Sequence, residues 1–276
     1  MILKVNEMGL KAKIRNIAKV KNISAQVVLQ NYFFERFLYR LSKSAYCENF
    51  VIKGGLLITA LTGINTRTTM DMDVTIRSIP LDEKHLKTVI EEICNIQSDD
   101  NIYFNMTNID QIREDDEYGG FQISINAIYE KINSPLSIDV TAGDVITPKP
   151  VKRHFKSIID EEKICELWTY NIETILAEKI ETILRRGESS TRPRDLYDVY
   201  IINKTQKFNK DIFYKALSST AKNRGTEKVI ENISDIVNTI KDSKVLKKYW
   251  EKYRQEYYYA KDITYEETIN NLSELL

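Results

Sequence analysis

The stretch RTTMDMDVTIR, residues 67–77, decides how this chain is read. Side chains on a β-strand alternate in direction, so residues two apart share a face. On that period Met70, Met72, Val74 and Ile76 form an apolar side, and Asp71, Asp73, Thr75 and Arg77 form the other. Two carboxylates about 7 Å apart along a strand repel, and one pKa rises unless a positive group lies between them. A divalent cation is the natural remedy, since Mg²⁺ is held by one or two carboxylates plus substrate phosphates. A half-solvated antiparallel strand shows the same alternation, so the flanking sequence has to discriminate.

Upstream, VIKGGLLITALTG (51–63) reads as a short strand, a Gly54-Gly55 pair and a short helix closed by Gly63. A glycine pair lets backbone approach a phosphate, and the helix N-terminus offers N–H groups to an anion. Downstream, LDEKHLKTVIEEICNI predicts an amphipathic helix with Leu86, Val89, Ile90 and Ile93 on one face. Residues 101–113 and 120–129 alternate as strands around the polar turn REDDEYGG. LSIDVTAGD repeats the pattern, with Leu136, Ile138 and Val140 on one side and Ser137, Asp139 and Thr141 on the other. If that strand neighbours the first, Asp139 joins Asp71 and Asp73. Three acids from two strands are the kind of cluster that binds two metals for phosphoryl transfer.

The N-terminal segment 1–46 reads as helical, with Ser24 as an N-cap and Val27, Phe34, Phe37, Leu38 and Leu41 at helical spacing. From about residue 168 onward the pattern is helical almost throughout. In NIETILAEKIETILRRGESSTRPRDLYDVYII the stripe Ile172, Ile175, Leu176, Ile180, Ile183 and Leu184 is bordered by Lys179. A lysine there either snorkels to solvent or meets an anion. A basic loop with Arg185, Arg186, Arg192 and Arg194 follows, and Pro193 suits a helix start. Asp195 and Asp198 share a helix face, where pairing with arginines or the N-terminal dipole accounts for them. The division expected is a helical segment at 1–46 packing on an α/β core at 47–165, then a helical domain at 166–276. The last boundary falls within RHFKSIIDEEKICELW.

Composition narrows the function. Hydrophobic residues make up 42% and charged residues 29% of the 276, an ordinary globular balance with ample length for a core. Formal net charge is zero, so any nucleic-acid contact must come from a local patch. Cys47, Cys94 and Cys165 are widely separated and odd in number, which fits a reducing compartment and gives no zinc spacing. His85 and His154 are the only histidines, which argues against His-dependent triads and histidine-rich metal sites. MILKVNEMGLKAKIRN is too polar for a signal peptide and no apolar run reaches membrane length, so a cytoplasmic protein is expected. KVLKKYWEKYRQEYYYAK, residues 244–261, reads either as a surface that tracks and stacks RNA or as a plain amphipathic helix with a charged face.

Taken in order, KGG, DMD, SIDV, AEKI and RPRDLYD resemble the AbiEii toxin family, whose mycobacterial relatives are the MenT toxins. The resemblance covers residues 50–200 by motif. It implies an α+β fold: a polymerase-β-like nucleotidyltransferase core with a mixed sheet, and a helical C-terminal domain that contributes Lys179 and Asp195 to the site. Gly54 and Gly55 would form the phosphate-side turn, and Asp71 and Asp73 would hold Mg²⁺ on the nucleoside triphosphate. Lys179 would contact the triphosphate, with Arg185 and Arg194 as further nucleotide-binding cations. Asp195 matches the acid of the last motif, and Asp139 the third acid, as metal ligand or general base. The implied activity is transfer of NMP from an NTP (GTP binding included) to RNA, at the tRNA 3′ acceptor end. That would block translation as the toxin of an abortive-infection, phage-defence system, with a separately encoded antitoxin that need not bind. A protein or small-molecule hydroxyl as acceptor, and a catalytically silent nucleotide- or partner-binding module, are the alternatives. Two departures stand out. The serine usual after the first glycine is Gly55 here, leaving Thr66, Thr68 or Thr69 to supply a hydroxyl, and the spacer to Asp71 is long.

Overall fold

The computed structural model describes residues 7–112, 119–159 and 162–276. Most of the polar turn REDDEYGG, residues 113–118, lies outside them. The chain divides into one unit of Met1–Asp144 with Val151–Thr169 and another of Val145–Pro150 with Tyr170–Leu276.

The first unit begins with α1 (Glu7–Lys21) and α2 (Ala25–Lys43). Ser24 caps α2 by accepting the Val27 N–H at 3.2 Å, which satisfies a donor the helix cannot pair itself. Then come β1 (Phe50–Lys53), α3 (Gly54–Thr62), β2 (Asp71–Ile76), α4 (Glu83–Cys94), β3 (Tyr103–Ile112), β4 (Gly120–Tyr129) and β5 (Ile132–Ala142). The hairpin β6 (Val151–Lys156) and β7 (Lys163–Thr169) completes the unit. The seven strands form one mixed sheet in the order β3-β4-β5-β2-β1-β7-β6. β2 runs antiparallel to β1 and parallel to β5, and β7 runs parallel to β1.

Period-two alternation sets this register, because a one-residue slip would turn every apolar side chain outward. Met72, Val74, Ile123, Ile125, Ile138 and Val140 are all buried, as are Leu86, Val89, Ile90 and Ile93 of α4. Met70, expected on the apolar face, lies one residue before the strand and is exposed. Arg40 of α2 is buried with Asp100 as a two-pronged ion pair at 2.8 and 2.9 Å. Its guanidinium also lies 4.8 Å from the centre of the Phe104 ring, so it staples α2 to the start of β3. The hairpin β6–β7 occupies the tract read above as a boundary. On the edge strand β6 Lys152, His154 and Lys156 face solvent, and the charged Arg153 sits half-buried between Val151 and Phe155 on the other side, which hides the alternation in the sequence.

The second unit is helical: α5 (Ile172–Arg186), a 3₁₀ turn at Gly187–Ser189, α6 (Pro193–Thr205), α7 (Lys210–Arg224), α8 (Glu227–Glu231), α9 (Ile233–Asp242), α10 (Lys244–Glu256), a 3₁₀ turn at Tyr258–Ala260, and α11 (Tyr265–Leu275). Polar side chains mark the starts. Asn171, Asn209 and Ser243 each accept a first-turn N–H, and Thr264 with Glu267 forms a reciprocal capping box. The α5 stripe packs inward as its spacing predicts, with Ile175, Leu176, Ile180, Ile183 and Leu184 buried. Glu181 is fully buried and is held by Arg224, by Arg185 at 3.3 Å and by the Thr226 hydroxyl at 2.9 Å. No helix among the described residues is long and apolar enough to cross a membrane.

Candidate functional site

Register builds the first cluster. Lys53 of β1 pairs with Asp73 of β2, Asp73 with Asp139 of β5, and Asp139 with Gln122 of β4. Directly paired residues project to the same face, so one row across four strands reads Lys–Asp–Asp–Gln. The adjacent same-face row runs Asp71–Ser137–Ser124 and the next Thr75–Thr141. The expectation that the Asp139 strand neighbours the Asp71–Asp73 strand therefore holds, in parallel and in register.

The glycine turn meets this row. Gly54 adopts φ +60°, a left-handed conformation that costs little only without a Cβ. A Cβ there would also fall 2.7 Å from the Asp73 Cβ and collide with its carboxylate. Asp73 Oδ2 in turn accepts the Gly55 N–H at 3.2 Å, so the second acid caps the first turn of α3. Asp71, at the start of β2, is exposed. The space beside Gly55 is also defined: an added Cβ would lie 2.7 Å from Thr69 Oγ1 and 3.1 Å from Arg67 Nη2. Of the three threonines considered above, Thr69 is the one whose hydroxyl stands where a serine at position 55 would reach.

Lys53 crosses the polar face. Its ammonium donates to Asp144 at 2.6 Å and to the Thr141 hydroxyl at 2.8 Å, and Thr141 donates to Asp144 at 3.0 Å. The Asp144 carboxylate is buried and Lys53 nearly so. Sequence reading missed this trio, although Lys53 is the first letter of KGG and Asp144 the last of LSIDVTAGD.

Among the described residues no three acids converge closely enough to cage a metal. Asp139 Oδ1 accepts from Gln122 Nε2 at 3.0 Å, so this carboxylate is engaged with its β4 neighbour. Asp71 and Asp73 are residues that could hold a divalent cation whose remaining ligands would be water and phosphate oxygens.

The second unit holds its own cluster. Lys179 on α5 donates to Asp195 at 2.6 Å and to Asp198 at 3.1 Å, both on α6. The two acids, for which the sequence suggested arginine pairing or the helix dipole, share this lysine. Asp198 is completely buried, and sequence reading left it out of the candidate set. Of the neighbouring cations, Arg185 is tied to Glu181. Burial, then the charges of Arg186, Arg224 and Arg192, hold its pKa below the ordinary guanidinium value. Arg194 reaches the Tyr257 hydroxyl at 3.4 Å, its guanidinium 6.0 Å from the ring centre. Burial raises the Tyr257 phenol pKa, helped by its hydrogen bond with Glu256 and opposed by Arg194. In the 244–261 tract Trp250 and Tyr253 are buried, and the Trp250 indole N–H is spent on the Ile263 carbonyl at 3.0 Å. These two rings cannot stack bases.

A provisionally described nucleotidyltransferase from H. pylori is similar over 92% of this chain and 94% of its own, at 18% identity and a TM-score of 0.49. JHP933 from Helicobacter pylori is similar over 89% and 90%, at 17% identity and a TM-score of 0.48. An antigenic nucleotidyltransferase-like protein from Paracoccidioides brasiliensis is similar over 75% and 92%, at 14% identity and a TM-score of 0.43. No curated protein matches. The family model for the nucleotidyl transferase AbiEii toxin of type IV toxin–antitoxin systems matches residues 36–271, a span holding the glycine turn, both acid strands, Lys179 and the RPRDLYD helix. The chain therefore belongs to the AbiEii nucleotidyl transferase toxin family, with a polymerase-β-like mixed α+β core followed by a helical C-terminal region.

Proposed function

We propose that the protein transfers a nucleoside monophosphate from an NTP to an RNA hydroxyl, at the tRNA 3′ acceptor end, as the toxin of its system. Family membership supplies the nucleotidyltransferase class, the nucleotide substrate and the antitoxin partner. The observation that supports this reading is the contact between Asp73 and the Gly55 N–H at the start of α3.

In this reading the Gly54–Gly55 backbone and the first turn of α3 receive the triphosphate, and the Thr69 hydroxyl stands in for the absent serine. Asp71 and Asp73 would hold Mg²⁺, which when bound would offset the charge of the triphosphate oxygens. The acceptor oxygen bonds to the α-phosphorus as the α–β bridging bond breaks and pyrophosphate departs. Asp139, oriented by Gln122, takes the hydroxyl proton. In the second unit Lys179, held by Asp195 and Asp198, is the candidate cation for an anionic group. Catalysis of this kind is mostly positioning and electrostatics, which suits a chain with two histidines.

Incubation of the purified protein with tRNA, Mg²⁺ and each labelled NTP tests the reading. Label entering tRNA from one preferred NTP, and lost in Asp71→Ala, supports it. Label entering protein or a small molecule instead would overturn the acceptor, and undiminished transfer by Asp71→Ala would overturn the site.

A further inference from the structure

Helix α10 spends its buried side on Leu246, Trp250 and Tyr253, which fixes what the other side shows. All four of its lysines, Lys244, Lys247, Lys248 and Lys252, are exposed. None has a side-chain ion pair among the described residues, and Glu251 on the same helix is taken by Arg254. Lys244, Lys248 and Lys252 succeed one another every fourth residue, a row of like charges at about 6 Å intervals along one face.

This arrangement works against the helix. Like charges at that spacing destabilise it, and cations in the first turn oppose the macrodipole. Every other helix of the unit carries an acid in its first turn, whereas α10 has none. Where a sequence breaks a local rule without local compensation, function is the usual reason. Away from the row, Leu246 and Tyr249 line a small cleft with Ser190, Arg192 and Pro193. Two rings stay open to solvent beside it, Tyr249 and, on the following turn, Tyr258 at 62% exposure.

We infer that this face of α10 tracks the phosphate backbone of the acceptor, a single RNA strand laid along Lys244, Lys248 and Lys252 with bases available to Tyr249 and Tyr258. The inference rests on the RNA-acceptor reading above. Regularly spaced cations beside open aromatic faces match a strand of phosphates and stackable bases. An acidic peptide gains nothing from the rings.

The test measures binding of a short labelled single-stranded RNA by anisotropy over a series of KCl concentrations. It compares the full chain with K244Q/K248Q/K252Q, and poly-L-glutamate serves as competitor. The variant keeps good helix formers and removes repulsion, so its melting temperature should match or exceed the parent's. Loss of three phosphate contacts should lower the slope of log K against log salt by about 2, with affinity at low salt falling about tenfold or more. NTP binding should not change. An unchanged slope overturns the proposal. So does poly-L-glutamate displacing the RNA at equal charge in a lysine-dependent way, which would mark the face as a dock for an acidic protein. Asp71→Ala in the same assay separates the two readings, because it should abolish transfer while leaving the RNA slope intact.

Discussion

At the scale of single residues, the site joins positions that folding needs to positions it does not. Asp71 is exposed at the strand entrance, so Asp71→Ala should change stability by no more than about 0.5 kcal/mol while removing transfer. Gly54 is the opposite. Gly54→Ala demands a strained φ and drives a methyl into the Asp73 carboxylate, so it should destabilise by roughly 1–3 kcal/mol and abolish transfer as well. Urea unfolding beside the labelled-NTP assay reads both, and a stable, active Gly54→Ala would contradict the geometry. Gly55→Ser meets Thr69 Oγ1, so the single change should impair NTP use through KM. Gly55→Ser/Thr69→Ala, which moves the hydroxyl to the usual position, should restore it.

At the scale of elements, Lys53 and Asp144 tie the end of β1 to the residues after β5 through a buried ion pair. Removing one partner strands the other charge. Lys53→Met should therefore cost about 3–5 kcal/mol, and Lys53→Met/Asp144→Leu should recover most of it. A single variant as stable as the parent in urea would remove the pair from the account. Elements were also where the sequence spoke most clearly. β2 was legible because Met72, Val74 and Ile76 alternate with polar residues, and α4 because Leu86, Val89, Ile90 and Ile93 recur at helical spacing. β6 was not, since the charged Arg153 interrupts its inward side between Val151 and Phe155. The Asp73–Asp139 neighbourhood could only be conditional, because parallel pairing of distant strands is decided by the whole sheet. The sharing of Lys179 by Asp195 and Asp198 depends likewise on how α5 and α6 pack, which spacing within one helix does not encode.

At the scale of the whole molecule, zero net charge hides strong local asymmetry, with acids beside the glycine turn and exposed lysines along α10. Buried ionisable groups also set its alkaline limit. Burial raises the thiols of Cys94 and Cys165 from the ordinary value near 9 to about 12, and the Tyr32 phenol from 10.0 to about 12. Below pH 9 the thiols are protonated in folded and unfolded chains alike. Between about 9 and 12 the unfolded chain gives up protons that the folded one keeps, so stability should fall as pH rises through that window. A urea midpoint that stays flat from pH 8 to pH 11 would contradict the burial. The central claim, that the acid pair at the glycine turn drives nucleotidyl transfer to RNA, has one most direct measurement: label from each NTP reaching tRNA with the parent protein and with Asp71→Ala. The account predicts label from the parent with Mg²⁺ and none above background from a folded Asp71→Ala. Equal labelling by the two proteins would contradict it.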